Sequence, residues 1–426
     1  MEAIVLFGSF SILILLSVPI GFAIGIATLI SLFLFSDIPM VLVTQNAITG
    51  VDSFPLMAIP FFILAGNLMS TGGVARRLLD FANLCFGAIT GGLGMVTTIA
   101  CMFFAAISGS AVATTSAIGA FMIPAMKEKK YDVGFSASLA AAAGTIGVII
   151  PPSIPLVIYG VVVGVSISDL FIAGFIPGVL MGGVLLITCY LLSKKNGYKG
   201  TGHWPSAGEL WVAFKSAIWA LLAPVIVLGG IYAGVFTPTE AAVIAVVYSL
   251  VIGVFVYKEL DWKGVYKALY DTMVINGVTT FMVGLSMAFA SYLSLQQLPA
   301  LMANYLLGIT DNGIILMLII NLFLLVVGCL IDNIPATIIL SPILLPVVEK
   351  LGMSPITFGV MLVMNLAIGF ITPPYGINLF VASAVADISM ERMMQYTKWF
   401  LFALLTALAI TTYVPATTMF LVNVFK

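Results

Sequence analysis

Two short polar segments interrupt long apolar stretches of the sequence, and both could bind a cation. The first is Ile107-Ser-Gly-Ser110, followed by Thr114-Thr-Ser116, and the second is Ile331-Asp-Asn333. Hydroxyl, carbonyl and carboxylate oxygens are the ligands that hard cations prefer. An ionisable residue inside an apolar stretch is also a functional candidate in its own right. These residue types therefore indicate Na⁺ ligation by Ser108, Ser110 and Asp332.

Each segment also has a purely structural interpretation. Small residues let helices pack closely, and Ser and Thr often bond back to their own helical turn. Asp332 could cap the helix that follows it, although one carboxylate oxygen can cap while the other meets an ion. We favour the cation role for the clustered serines and for Asp332.

Two further apolar stretches are broken by adjacent prolines. Thr145-Ile-Gly-Val-Ile-Ile-Pro-Pro152 and Ala367-Ile-Gly-Phe-Ile-Thr-Pro-Pro374 are identical at five of eight positions. Proline removes a backbone donor and frees a carbonyl one turn earlier, and the half-helix after each pair starts with an N-terminus that favours negative charge. The breaks therefore suit an anionic substrate, with the Asn378 amide as one contact, unless they are only packing kinks. The carbonyls that each break would expose include those of Gly147, Ile150, Gly369 and Thr372.

The composition identifies the environment of these motifs. Of 426 residues, 62% are hydrophobic and 8% are charged, against about 25% charged in soluble domains. We therefore predict an all-α polytopic membrane protein. A net charge of −1 argues against nucleic acid, and the chain has no Gly-x-x-x-x-Gly-Lys-[Ser/Thr] motif, so it should not bind ATP itself. The four cysteines are widely spaced and His203, in a polar loop, is the sole histidine, which disfavours a zinc site and an enzyme.

Hydropathy and charge together predict the topology. Placing the N-terminus in the cytoplasm, with 87–126 and 313–348 as hairpins that enter and leave on one side, puts 14 of the 16 Lys and Arg inside. Only Lys350 and Lys426 then lie outside, and the C-terminus is periplasmic. Such re-entrant segments are tolerated only where protein or a wet cavity shields them. Full spans are predicted near 4–35 (bent at Pro19), 55–72, 133–165, 169–192, 216–236, 239–257, 272–295, 356–386 and 397–424.

An internal repeat divides the chain. Pro151 corresponds to Pro373 at an offset of 222 residues, which also places Ser110 on Asp332 and Thr115 on Thr337. The two hairpins open to opposite sides, so the halves are predicted to be inverted repeats, as in many secondary transporters. The predicted units are 1–192, with hairpin 87–126 and broken helix 133–165; 193–236, a cytoplasmic linker and connecting span; and 237–426, with hairpin 313–348 and broken helix 356–386.

Shorter signals complete the map. Interfacial arms are predicted near 38–50 and 258–270, the latter as a basic membrane-surface helix. Residues 193–215 form the one clear polar linker. Thr237-Pro-Thr-Glu240 fits a capping box, so we assign Glu240 a structural role.

These motifs jointly resemble the large membrane subunit of the tripartite ATP-independent periplasmic (TRAP) transporters, the DctM-like family of the ion transporter superfamily. The resemblance runs in order along nearly the whole chain. The matching stretches are Phe103-Phe-Ala-Ala-Ile-Ser-Gly-Ser110, Gly119-Ala-Phe-Met-Ile-Pro124, Ile149-Ile-Pro-Pro-Ser-Ile154, Val157-Ile-Tyr-Gly160, Leu170-Phe-Ile-Ala-Gly-Phe-Ile-Pro-Gly178, Phe236-Thr-Pro-Thr-Glu-Ala-Ala242 and Ile371-Thr-Pro-Pro374.

The resemblance implies a Na⁺-coupled elevator carrier of the bacterial inner membrane. It also implies a separate small four-span membrane subunit (DctQ-like) and a periplasmic binding protein (DctP-like) that delivers an organic acid anion. The candidates for substrate contact are Thr115, Ser153, Thr337 and Asn378. Two sodium sites also carry over from the family, residue by residue. The first sodium site would use Ser108, Ser110, Gly147, Ile150 and Pro152, and the second Asp332, Gly369, Thr372 and Pro374.

The predicted function is import of an organic acid anion, such as a C4-dicarboxylate, sialic acid or another sugar acid, with two or more Na⁺. A stand-alone Na⁺/carboxylate symporter of the same superfamily is the closest alternative, and an ion channel is a more distant one. The sequence does not identify the acid.

Overall fold

The structure, a computed structural model, describes residues 2–36, 38–200, 202, 204–310 and 312–425. His203 and Lys426, which the sequence placed in a loop and at the periplasmic end, lie outside the described residues. The first ten helices are α1 Glu2–Leu15, α2 Ile20–Phe35, α3 Val41–Val51, α4 Ala58–Thr71, α5 Val74–Phe86, α6 Gly92–Ser108, α7 Ala111–Glu128, α8 Val133–Gly144, α9 Ile154–Val163 and α10 Ile167–Asn196. The next ten are α11 Ala207–Tyr232, α12 Pro238–Val251, α13 Trp262–Leu295, α14 Leu298–Leu307, α15 Gly313–Leu330, α16 Asn333–Lys350, α17 Pro355–Gly369, α18 Ile377–Ala386, α19 Met390–Tyr413 and α20 Ala416–Phe425.

The predicted fold class is confirmed, because the described part of the chain is helical and contains no strand. Eight helical segments among the described residues are long and apolar enough to cross a membrane. Helices satisfy every backbone group internally, which is what a bilayer requires of a spanning segment.

The single bent span predicted for 4–35 is wrong. The chain turns at Leu16–Pro19, where Ser17 has a positive φ of 61°, and α1 and α2 pack side by side. Along α13, Phe22 of α2 meets Phe281, whereas Phe10 of α1 meets Phe289. Gly25 of α2 lies against Leu285, so both helices leave the turn towards the Leu295 end of α13. The two helices are therefore antiparallel, and the start of α1 lies at the same end of the molecule as the end of α2.

The predicted polar linker is shorter than expected. Residues 193–215 were predicted as linker, but α10 continues to Asn196 and α11 begins at Ala207 after a Ser206–Glu209 capping box. Helices can extend beyond the bilayer, and Lys194 and Lys195 suit the negative end of the α10 dipole. Charge alone therefore marks a membrane boundary rather than a helix end.

The predicted arms also differ from what the structure shows. Residues 262–270 of the second arm form the start of α13, which Asp261 caps and which contains no proline up to Leu295. The first arm is the separate helix α3, but it packs along α13 rather than standing apart: Asn46 Nδ2 donates to Ser291 Oγ at 2.8 Å. The last predicted span, 397–424, is likewise two helices, α19 and α20, separated at Val414–Pro415.

Helix-turn-helix units and helix breaks lie at the positions of the predicted hairpins and broken helices, whereas the re-entry of the hairpins and the inverted repeat stay predictions. Helices α6 and α7 are joined by Gly109, whose φ of 61° suits glycine, and by Ser110, which caps α7. Helices α15 and α16 are joined by Ile331 and Asp332. A break at 149–153 separates α9 from α8 and its short 3₁₀ extension, and a break at 370–376 separates α17 from α18. The predicted capping box at Thr237 and Glu240 is confirmed.

Candidate functional site

Both hairpin tips line one cavity of about 360 Å³, within the size range of small-ligand sites. The opposite wall is formed by Asn67 and Ser70 of α4 and by Ile275 and Thr279 of α13. The first residues of the half-helices α9 and α18 also line it. The motifs that the sequence singled out are therefore spatial neighbours, although they are more than 200 residues apart. The tip residues in the lining include Ser108, Gly109, Ser110, Asp332 and Asn333.

The first tip is a compact group of oxygen atoms. Ser108 Oγ lies 2.9 Å from Thr114 Oγ1, and Thr114 Oγ1 donates to the Ser110 carbonyl at 2.8 Å. Ser110 Oγ accepts from the Ala113 amide at 3.4 Å, so it also caps α7. The structural and ligand interpretations coexist here, because each hydroxyl oxygen keeps a further lone pair.

The first break packs directly against this tip. A Cβ at Gly147 would lie 2.5 Å from both the Ser110 carbonyl oxygen and Thr114 Oγ1. A Cβ at Gly109 would lie 2.8 Å from the Pro152 carbonyl oxygen. Four of the five predicted first-site residues are thus in one place: Ser108, Ser110, Gly147 and Pro152. The fifth, Ile150, packs its side chain against Gly178 of α10.

The second tip differs from the first in how its acidic residue is used. Asp332 occupies the N-cap position of α16, yet its carboxylate makes no capping hydrogen bond to the following turn and interacts instead with the adjacent Asn333 amide. It lines the cavity, and it is the only charged residue among the described residues that does so. A carboxylate placed beside a cavity without a capping bond is available to a cation.

The second break is more open than the first. Gly369 lies against the backbone of Gly328 in α15, one turn before the tip. Thr372 Oγ1 donates to the Ile368 carbonyl at 3.0 Å, and Pro374 is exposed whereas its counterpart Pro152 is buried. The two halves therefore hold their corresponding oxygen atoms differently in this state.

The four candidate substrate residues are buried and lie outside the cavity lining. Ser153 caps α9 and donates to the Val148 carbonyl. Thr337 donates to Asn333 Oδ1 at 3.1 Å. Asn378 donates to the Ala141 carbonyl at 3.1 Å, but its Oδ1 has no partner, and neither has Thr115 Oγ1. Their role in substrate binding remains a prediction.

Sequence reasoning missed the polar residues on the opposite wall. Asn67 Nδ2 donates to Thr272 Oγ1 at 2.9 Å, which joins α4 to α13, and Thr279 has its side chain on the cavity. Each is an isolated polar residue inside an apolar span, which is the one signal that could have identified it.

Comparison with known proteins identifies the family. Residues 7–417 match the family model of the tripartite ATP-independent periplasmic transporter, DctM component. The chain belongs to the DctM family. It is therefore a membrane permease component of a transporter family, and its relatives are permeases rather than enzymes.

Individual DctM relatives match over nearly the whole chain. The C4-dicarboxylate TRAP transporter large permease protein of Rhodobacter capsulatus is 36% identical, with 99% of both chains covered. The sialic acid large permease protein of Vibrio cholerae is 39% identical, over 97% of this chain and 96% of the relative. The isethionate TRAP transporter permease protein DctMQ of Oleidesulfovibrio alaskensis is 45% identical over 98% of this chain, but the chain spans 66% of that relative's length.

Two solved transporters share the fold of this DctM chain. The YdaH transporter of Alcanivorax borkumensis aligns with a TM-score of 0.61 at 14% identity, covering 87% of both chains. MtrF of Neisseria gonorrhoeae aligns with a TM-score of 0.56 at 13% identity, covering 87% of this chain and 84% of MtrF. At these identities the likeness concerns the fold alone.

Proposed function

We propose that this DctM chain uses Na⁺ to drive import of an organic anion across the bacterial inner membrane. The observation that carries the proposal is the central cavity, on which two tips, two broken helices and a single uncapped carboxylate converge. The hydroxyl and carbonyl oxygens around Ser108, Ser110 and Gly147 would hold one Na⁺. Asp332, with carbonyls of the second break, would hold another.

The anion would be bound without a basic side chain. No Lys or Arg is among the described residues that line the cavity, so helix dipoles, hydroxyls, amides and the bound Na⁺ must balance the negative charge. The N-termini of α9 and α18 both reach the cavity, and helix N-termini favour anions. Coupling follows, because an anion beside Asp332 is stable only when cations accompany it.

The substrate class follows from the relatives. Their names describe permeases for isethionate, C4-dicarboxylates and sialic acid, which are all organic anions with a carboxylate or sulfonate group. A small sulfonate or carboxylate fits a cavity of about 360 Å³. We propose that a periplasmic binding protein delivers the anion and that a small membrane subunit accompanies the chain.

The mechanism that we propose is an elevator in which one body carries the two tips past α4 and α13. The inverted repeats 1–192 and 237–426 would supply the two tips. The cavity adjoins Ile275, about 6 Å along the helix from Asp271, near the end of α13 that bears Lys263 and Lys267. If basic ends are cytoplasmic, this state faces the cytoplasm. Under this assignment the antiparallel α1 and α2 would put the N-terminus in the periplasm, whereas the single-span prediction put it in the cytoplasm.

Uptake into proteoliposomes tests the proposal. The large and small subunits are reconstituted, and labelled isethionate, succinate and sialic acid are offered with and without the binding protein and a Na⁺ gradient. We expect accumulation of one acid only with an inward Na⁺ gradient. Uptake that is indifferent to Na⁺ would reject the coupling, and Na⁺-driven uptake without the binding protein would favour a stand-alone carrier.

A further inference from the structure

The antiparallel pair α1–α2 ends in a turn that lies deep in the predicted membrane. The uncharged part of α13 extends from Thr272 to Leu295, about 36 Å of helix against a hydrocarbon core of about 30 Å. The turn between α1 and α2 lies beside the middle of this uncharged part of α13. A Cβ at Gly21 would be 3.6 Å from the Met282 Cα, and the rings of Phe22 and Phe281 are 4.9 Å apart.

The lengths of the two helices agree with this depth. Helix α1 has 14 residues and α2 has 16, which correspond to about 21 and 24 Å. Neither length spans a core of about 30 Å. The pair therefore enters from one face of the membrane, turns near the midplane and returns.

Backbone groups at the turn lack partners. The amides of Leu16, Ser17 and Val18 bond back to α1. Among the described hydrogen bonds, however, none is accepted by the carbonyls of residues 15–18 and none is donated by the amides of residues 20–22. Leu15 is 82% exposed and Leu16 69% exposed, so the chain itself does not cover this turn. Irregular backbone at this depth is not tolerated against lipid and must be covered by protein or lie in a wet cavity.

The surroundings of the turn are apolar rather than wet. Helix α2 covers one face of α13 from Phe281 towards Leu285. The same face of α13 continues uncovered past the turn, towards the N-terminal end of α13, where Val278 is 66% exposed and Val274 51% exposed. We call this surface the notch: residues 15–17 at the turn together with Val274 and Val278 of α13. The notch is open along the direction in which a membrane helix runs.

We propose that the notch is the docking site for a transmembrane helix of the small membrane subunit, and that this helix presents a Ser, Thr, Asn or Gln side chain at the level of the turn. This inference rests on the companion subunit in the proposed function. Two relatives support that occupant rather than a second copy of this chain. This chain spans only 66% of the DctMQ permease and 67% of the SiaT permease of Haemophilus influenzae, so those proteins carry additional chain covalently. A polar side chain would donate to the carbonyls at the turn, as polar residues do between membrane helices.

Photocrosslinking in intact membranes tests the docking site. A benzoylphenylalanine is placed at Leu16, at Val278 or, as a lipid-facing control, at Phe402 of α19, which is 70% exposed. Each variant is expressed with the small subunit, which carries its own tag, and with a differently tagged second copy of the large subunit. We expect adducts with the small subunit from positions 16 and 278, and none from 402.

A second measurement places a bulky side chain at the turn. Leu16→Trp should lower co-purification of the small subunit at least tenfold while leaving the melting temperature of the large subunit alone unchanged. Ile4→Trp, at an equally exposed position near the other end of α1, should have no effect. Adducts between two large subunits would overturn the assigned occupant, and a complex without any adduct at 16 would overturn the notch. Neither readout needs Na⁺ or substrate, so a failure of coupled uptake would leave this result standing.

Discussion

The carbonyl oxygen of Ser110 lies against the α-carbon of Gly147, so close that a Cβ at 147 would be 2.5 Å away. The first hairpin tip and the first broken helix thus pack against each other through the Ser110 backbone as well as the Thr114 side chain. Backbone at such a distance cannot move aside without shifting the whole tip. Only glycine fits at position 147, in the 3₁₀ segment just before the break, without displacing this tip.

Gly147→Ala tests this contact. The added methyl meets the Ser110 carbonyl and Thr114 Oγ1, so the tip must shift, with a cost of about 1–3 kcal/mol typical of overpacking. We expect Na⁺-driven uptake to fall strongly and the apparent Na⁺ affinity to decrease. Gly183→Ala on α10, where a Cβ meets nothing within 4 Å, is the control. Wild-type Na⁺ affinity in Gly147→Ala would exclude Gly147 from the site.

Asp332→Asn removes the one charge that the described residues contribute to the cavity lining, while keeping the shape of the side chain. We expect the apparent Na⁺ affinity to fall at least about tenfold, which corresponds to about 1.4 kcal/mol, with the protein still folded. Uptake measured at a series of Na⁺ concentrations gives both the apparent Na⁺ affinity and the steepness of the Na⁺ dependence. Asp387→Asn, at the end of α18, should behave as wild type, and an unchanged titration for Asp332→Asn would remove this residue from the second site.

Thr279→Val removes a hydroxyl from the wall of the cavity that faces the tips. Because the change is nearly isosteric, we expect the loss of one hydrogen bond to substrate, about 1 kcal/mol, which appears as a roughly fivefold rise in KM for the anion. The Na⁺ dependence should stay the same. Thr280→Val, the adjacent residue outside this lining, is the matched control; equal KM values for the two variants would show that Thr279 does not contact the anion.

Tyr159→Phe tests how the two broken helices are held together. The Tyr159 hydroxyl donates to the Pro355 carbonyl at 2.6 Å and so ties α9 to the start of α17. We expect a stability loss of about 1 kcal/mol, read as a lower melting temperature, with the Na⁺ dependence retained. Tyr305→Phe, at a position 77% exposed, should melt like wild type. A melting temperature unchanged by Tyr159→Phe would mean that this bond contributes nothing to the packing.

The features that the sequence predicted best are those with a local cause. Adjacent prolines at 151–152 and 373–374 predict a break in an apolar helix, because proline removes a backbone donor, and the small polar residues at 107–110 predict the tip of a hairpin. The repeat offset then linked the tips without any knowledge of the packing. Apart from the repeat, these signals lie within a few residues of the feature that they predict.

The features that the sequence missed depend on distant contacts. An apolar run such as Ile4–Phe35 has the same composition whether it crosses once or turns back, and only the contacts of Phe10 and Phe22 with α13 distinguish the two. Likewise, nothing adjacent to Thr279 in the chain shows that the opposing tips will face it. Lys194 and Lys195 were assigned to a linker because charge reports depth in the membrane, whereas helix continuity depends on caps and prolines.

In the proposed cycle, the Asp332 carboxylate at the second tip would determine which step responds to voltage. With two Na⁺ and a monoanion bound, the charges of the ions, the substrate and Asp332 sum to zero, so the inward movement of the loaded site is electrically silent. After release, the emptied site returns with one uncompensated negative charge. An inside-negative potential pushes that charge outward, by about 2.3 kcal/mol per 100 mV. Charge recordings should therefore place the current in the recovery of the vacant carrier, not in the delivery of its cargo.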